Sequence, residues 1–228
     1  MIETNFTPLI LSLKVAALST SLVFVIGLLL ARIMTQRDFF GKNLLESFFL
    51  LPLVLPPTVV GFGLLILFGK YGFFGKLLHE WFGIQIVFTL TGAVIASIVV
   101  SFPLMYQSAV AAFTSIDRRL EDAARTLGSS EWRLFWTVSF PLAWPGLLAG
   151  FVLSFARGLG EFGATLMLAG YIPGKTDTIP VAIYFAVEAG QMEKAMFWVV
   201  IIVSLGMGTT FWLNWWSKRN LRRYAHHK

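Results

Sequence analysis

Three stretches of this chain carry residue types at spacings that chemistry requires. Gly158-Leu159-Gly160-Glu161-Phe162-Gly163 fits G-x-G-x-x-G, the glycine turn that lets backbone approach a dinucleotide pyrophosphate. Residues 169–176, Ala-Gly-Tyr-Ile-Pro-Gly-Lys-Thr, fit a permissive phosphate loop with alanine first, whose N–H groups and lysine would cradle phosphate. Arg157 and Glu161 stand four residues apart and could form a charge pair. The histidines at 79, 226 and 227 have no metal-ligand clustering. Each candidate stands or falls with the elements that hold it.

Those elements are membrane helices. The chain has 228 residues, 57% hydrophobic and 13% charged, more apolar area than one soluble domain can bury. Eight Trp and 22 Phe suit lipid-facing surfaces and interfacial belts, and the absence of Cys removes disulfides and thiolate ligands. The expectation is a single all-α polytopic domain spanning residues 1–228. Five runs reach the roughly 20 apolar residues a span needs: about 8–31, 44–68, 86–113, 142–170 and 195–217. Residues 1–7 lack the basic start of a signal peptide, so the first run is expected to stay in the mature protein. Pro52, Pro56 and Pro57 interrupt the second run and predict a kink or unwound turn there, from packing or from a pathway element. Residues 71–83, with Phe73, Phe74, Leu77, Leu78, Trp81 and Phe82, read as an interfacial helix.

Charge placement orients these spans. With the N-terminus outside, the inner segments hold Arg32, Arg37, Lys42, Arg118, Arg119, Arg125, Arg133 and the basic tail from Lys218 onward. The outer segments hold only Lys70, Lys76, Lys175 and Lys194, so the positive-inside rule puts the C-terminus in the cytoplasm. The net charge of +6 is accounted for this way and does not point to nucleic acid.

This frame disposes of two candidates. The glycine fingerprint interrupts a membrane span where no βαβ unit can form. The phosphate loop falls outside the cell, and Pro180 follows too soon for a helix to open directly after Lys175-Thr176. Arg157 and Glu161 remain. Arg157 lies roughly 22 Å beyond Leu142 at the helical rise, deep in the bilayer, where an unpaired charge costs at least ~2.5–3.5 kcal/mol. The pair either staples helices or lines a gate, and Gly158, Gly160 and Gly163 loosen the turn around it.

A polar island completes the pattern. Eight charges, four of each sign, fall between residues 117 and 133. Leu120, Ala123, Ala124 and Leu127 recur at i, i+3, i+4 and i+7 and share one helical face. Asp117 suits the N-cap, Glu121 and Asp122 the positive helix end, and Gly128 a left-handed stop. By itself this could be a docking helix, a helix lying in the headgroups or a solvated loop.

The island resembles the "EAA" loop of ABC-importer permeases, E-A-A-x3-G-x9-I-x-L-P. Here it reads Asp122-Ala123-Ala124, Gly128, then Val138-x-Phe140-Pro141. It departs by Asp for Glu, Val for Ile and Phe for Leu. The resemblance implies that the loop at about 115–140 inserts into a groove on a separate ATPase. Leu120, Glu121, Asp122, Ala123, Ala124, Arg125, Leu127, Gly128 and Pro141 would be its coupling residues, and ATP and Mg would sit on the partner and not on this chain. Residues 155–165, Ile172-Pro173-Gly174-Lys175-Thr176, Thr178-Ile179-Pro180 and the proline run of the second span resemble the permease subunit of molybdate importers. Sulfate/thiosulfate and tungstate permeases are the near rivals. That family implies a homodimer, a cytosolic ATPase dimer, a periplasmic oxyanion-binding protein and an inner-membrane location. Gate candidates on this reading are Arg157, Gly160, Glu161, Phe162, Gly163, Pro56 and Pro57. An ATP-independent secondary transporter would show inverted repeats and more intramembrane carboxylates, and a membrane enzyme has still less support.

Overall fold

The computed structural model describes the backbone of residues 6–225 and the side chains of residues 6–216. Residues 1–5, within the stretch expected to lack a signal peptide's basic start, and the basic tail side chains from 217 onward lie outside that description. Among the described residues every regular element is helical: α1 (Thr7–Gln36), α2 (Lys42–Val54), α3 (Pro57–Phe68), α4 (Phe73–Phe82), α5 (Leu90–Thr114), α6 (Arg118–Thr126), α7 (Glu131–Leu134), a π-helical turn (Phe135–Ser139), α8 (Phe140–Leu159), α9 (Gly163–Ala169), α10 (Ile179–Glu188) and α11 (Met192–Ala225).

Among the described residues four helical stretches are long and apolar enough to cross a membrane: Thr7–Gln36, Leu90–Thr114, Glu131–Leu159 and Met192–Trp216. The second expected span is two helices, α2 and α3, bent by 115°. Pro56 and Pro57 lie at that break. Pro56 holds an extended ψ of 136° and its carbonyl accepts from Val59 and Val60 N–H, so the freed backbone is re-used to start α3. The predicted interruption is therefore a sharp bend between two helices.

Two other spans differ from expectation. The run expected at 86–113 becomes helical only at Leu90, because Thr89 caps it through a bond from Gly92 N–H, while Phe88 N–H pairs with the Leu168 carbonyl. The run expected at 142–170 opens at Glu131, where Ser130 accepts from Arg133 N–H. It continues through Pro141, which follows a π turn closed by Phe140 N–H reaching back to the Phe135 carbonyl and falls in the first turn of α8. The helix then stops at Leu159, and α9, with seven residues, is too short to cross. The loop expected at 115–140 thus contains α6, α7 and the π turn, and Pro141 lies in the first turn of α8.

The core is built from α1, α5 and α8, with Val23, Met34, Met105, Ala109 and Leu147 buried among them. A second cluster joins α3, α5 and α9 through Val60, Leu64, Ala96, Val100, Ala164 and Leu168. Lipid tails are as apolar as these side chains, so close van der Waals packing must do the holding. Gly61 shows it: a Cβ there would come within 2.7 Å of Ala164 Cα. The helix at 73–82 carries exposed Phe73, Phe74, Leu77, Trp81 and Phe82, an amphipathic surface of the kind expected at an interface.

Candidate functional site

The polar island folds as a short helix stopped at both ends. Asp117 accepts from Arg119 N–H at 2.9 Å as N-cap. At the other end Ser129 N–H bonds the Ala124 carbonyl (3.1 Å) and Gly128 N–H that of Arg125 (2.9 Å), a Schellman closure. Gly128 has φ +80°, which explains glycine at this point, and the space beside it is open. Leu120 is 50% exposed and Leu127 87%, so the apolar face predicted from periodicity is bare. Ala123 is exposed and Ala124 half-buried.

Electrostatics divides this helix. Arg125 bonds Glu131 (Nε–Oε1 2.7 Å) and Asp122 (Nη1–Oδ1 2.9 Å) on the solvent side. Glu121 turns inward. Its Oε1 accepts from Arg32 Nη1 at 2.9 Å and from Ser139 Oγ at 2.5 Å, and Oε2 lies 3.9 Å from Arg125. Burial pushes the Glu121 carboxyl up, but the bonds from Ser139 and Arg32 and the charges of Arg32 and Arg125 outweigh it and hold it below its usual value. The sequence places Glu121 at the positive helix end and, by resemblance, among the coupling residues, and gives Arg32 only a place in the charge count. Their separation of 89 residues hides the pairing from any local pattern.

The broken span forms the second candidate region. Arg157 Nη1 lies 2.9 Å from Glu161 Oε2, with Glu161 2% exposed and Arg157 30%. The contact is one of charge rather than an aligned hydrogen bond. Glu161 Oε1 accepts from Ala164 N–H at 2.8 Å and so caps α9. The pair does not lie within one helix, because α8 ends at Leu159 between the two residues. Arg157 sits in the last turn of α8 and Glu161 at the start of α9, each at the helix end its charge favours. Gly163 abuts Pro57 and Thr58, since a Cβ on it would come within 3.2 Å of both. The two breaks in the chain therefore meet. Phe162 packs on Tyr184 (5.3 Å between ring centroids), and Gly160 closes α8 as its C-cap.

The structure also accounts for the rejected motifs. Residues 158–163 end one helix and begin another. Between α9 and α10, Thr176 Oγ1 donates to the Gly170 carbonyl and accepts from Ile172 N–H, while Asp177 accepts from Gly174 N–H. Donors a phosphate would need are consumed inside the turn, and the next helix, α10, opens only at Ile179, with Pro180 in its first turn. A cavity of about 560 Å³ beside this loop is lined by Pro8, Tyr171, Asp177, Lys194 and Trp198, away from both candidate regions. Burial pushes the Asp177 carboxyl up there.

A bare, capped helix leading into a bundle with a broken span is the arrangement of ABC-importer permeases of the type I fold. The chain of a bacterial ABC importer for the acidic polysaccharide alginate superposes with TM-score 0.76 at 19% identity, covering 96% of this chain and 80% of that one. The chain belongs to the family described as binding-protein-dependent transport system inner membrane component, whose model matches residues 23–223. It is 50% identical over 91% of its length to YvgM of Bacillus subtilis, covering 92% of it, a protein that carries a molybdenum transport permease name. It is 42% identical to the molybdenum transport system permease protein ModB of Escherichia coli, covering 97% of each. The sulfate transport system permease protein CysW of Synechocystis is 35% identical over 91% of this chain and 75% of that protein.

Proposed function

We propose that the chain is the membrane subunit of an importer that moves molybdate inward, driven by ATP hydrolysis on a separate polypeptide. The observation that carries this reading is the exposed Leu120–Leu127 face on a helix fixed at both ends, a surface shaped for a partner's groove. The names of the relatives at 42–50% identity support molybdate over sulfate, since the sulfate permease is more distant.

On this reading two copies enclose the pathway, an ATPase dimer holding ATP and Mg docks on α6 from the cytoplasm, and a periplasmic binding protein delivers the anion. The N-terminus lies outside, consistent with the lysine and arginine asymmetry. ATP binding closes the ATPase pair and displaces α6. The bundle then switches between inward- and outward-facing states, which ATP can shift only by favouring one of them. Arg157, Glu161, Gly160, Phe162, Gly163, Pro56 and Pro57 form the gate region where the breaks meet. One arginine already balanced by a glutamate makes a poor trap for a dianion, so affinity belongs to the delivery protein and the conduit binds weakly.

The test is uptake of labelled molybdate into proteoliposomes carrying this chain, its ATPase and the binding protein. Uptake should require ATP and resist excess sulfate. Transport by the chain without an ATPase would overturn the reading, and competition by sulfate would shift the cargo.

A further inference from the structure

The attachment of α6 to the rest of the molecule is narrow. None of its residues is buried, and only Glu121 and Ala124 are half-buried, the others being exposed. Its packing partners are α7 and the π turn. Yet the Glu121 carboxylate reaches one further element, α1, while also bonding the last residue of the π turn. Arg32 comes from the cytoplasmic end of α1, and Ser139, fully buried, closes the π turn that leads into α8. Arg32 is itself held by two rings: its guanidinium carbon lies 5.5 Å from the Phe113 centroid at the end of α5 and 5.7 Å from Phe135 in the π turn. The Arg32 and Glu121 side chains are only 12% and 13% exposed. α1, α5, α6 and α8 therefore converge on one ion pair.

We propose that the Arg32–Glu121–Ser139 cluster is the joint through which movement of α6 is passed to α1 and α8 together. This rests on the coupling role proposed above for α6 and names the residues that transmit it. An exposed surface pair could yield under a pull because water replaces each partner. Here the guanidinium is clasped by aromatic rings and the carboxylate is shielded, so parting them leaves two poorly hydrated charges. A π turn is also a place where a helix can change its hydrogen-bond register, which lets α8 respond to a pull at Ser139. Arg32 and Ser139 are positioning residues in this scheme and touch neither ATP nor the anion.

The experiment compares molybdate moved per ATP hydrolysed in proteoliposomes of the whole complex with binding protein. Glu121→Gln is expected to lower that ratio roughly ten-fold, within the usual span of coupling between sites, while the ATPase still co-purifies. The pair Arg32→Met with Glu121→Met removes both charges together, a change that buried ion pairs often tolerate, and should be equally uncoupled. If Glu121→Gln fails to reach the membrane, the methionine pair decides. A wild-type ratio in either variant overturns the proposal, as does loss of ATPase co-purification, which would make Glu121 a docking residue. If the unaltered complex itself moves no molybdate with ATP, the functional reading falls instead.

Discussion

Two Arg–Glu pairs sit in this molecule at the same 2.9 Å, and they are built for different work. Arg157–Glu161 spans four residues, neutralises a break inside the bilayer and caps the helix that follows. Arg32–Glu121 spans 89 residues and ties a peripheral helix to the bundle. The first balances charge where the helix breaks; the second ties a helix of exposed residues to the bundle. A short sequence separation marks local repair of the backbone, and a long one marks communication between elements.

The strongest way to separate the two regions is to spoil the partner-facing one while leaving the bilayer untouched. Gly128→Trp should abolish molybdate uptake with normal amounts of protein in the membrane. The residue sits at φ +80°, where a Cβ costs roughly 1–2 kcal/mol, and an indole beside Leu127 would block a groove. Normal uptake would remove α6 from the coupling role.

The second break acts on the intramembrane pair. Arg157→Ala strands Glu161, 2% exposed, and should destabilise the protein by about 3 kcal/mol, the low end for a broken buried pair. The low end applies because Arg157 is partly exposed and Glu161 keeps its bond to Ala164. Thermal unfolding in detergent measures this, and the preference for molybdate over sulfate should not change. An altered anion ranking would place Arg157 in selectivity.

The same contrast explains what could be seen in the residues alone. The α6 face, its Asp117 cap and its Gly128 stop were legible because each depends on a neighbour within a few residues. So was the break at Pro56-Pro57, which follows from a missing donor. The register of the long helix from Glu131 was not, because hydropathy marks where lipid begins and this helix starts in water with Ser130, Glu131 and Arg133. Arg32 was invisible as a partner, since its role is set by tertiary packing of α1 against Phe113 and Phe135.

A smaller effect sharpens the long-range pair. Ser139→Ala removes a hydrogen bond to a carboxylate, worth about 1.5–3 kcal/mol, and leaves both charges in place. Glu121 is held below its ordinary value of 4.5, so its contribution is complete above that pH and is lost as pH falls through the lower folded value. Arg32 and Arg125 are the charges that face it. Without the Ser139 bond the folded value rises, and α6 should come loose at a higher pH. Pepsin cleavage between residues 118 and 130, followed from pH 5 downward, would show an earlier onset than wild type. An unchanged onset would mean that Arg32 alone fixes the carboxylate.

The smallest effect belongs to the solvent side of the same helix. Glu131→Ala removes the 2.7 Å contact with Arg125, the shortest ion pair among the described residues. Distance alone would rank it above both pairs just compared. Exposure reverses that order: Glu131 and Arg125 are open to water, which solvates each charge almost as well as the partner does, and Asp122 still holds Arg125 at 2.9 Å. The expected loss is at most about 1 kcal/mol, falling further with added salt. A thermal unfolding series across salt concentrations reads it directly. A loss as large as that of Arg157→Ala would show that burial is not what separates these pairs, and the division between joint and surface drawn at α6 would have to be abandoned.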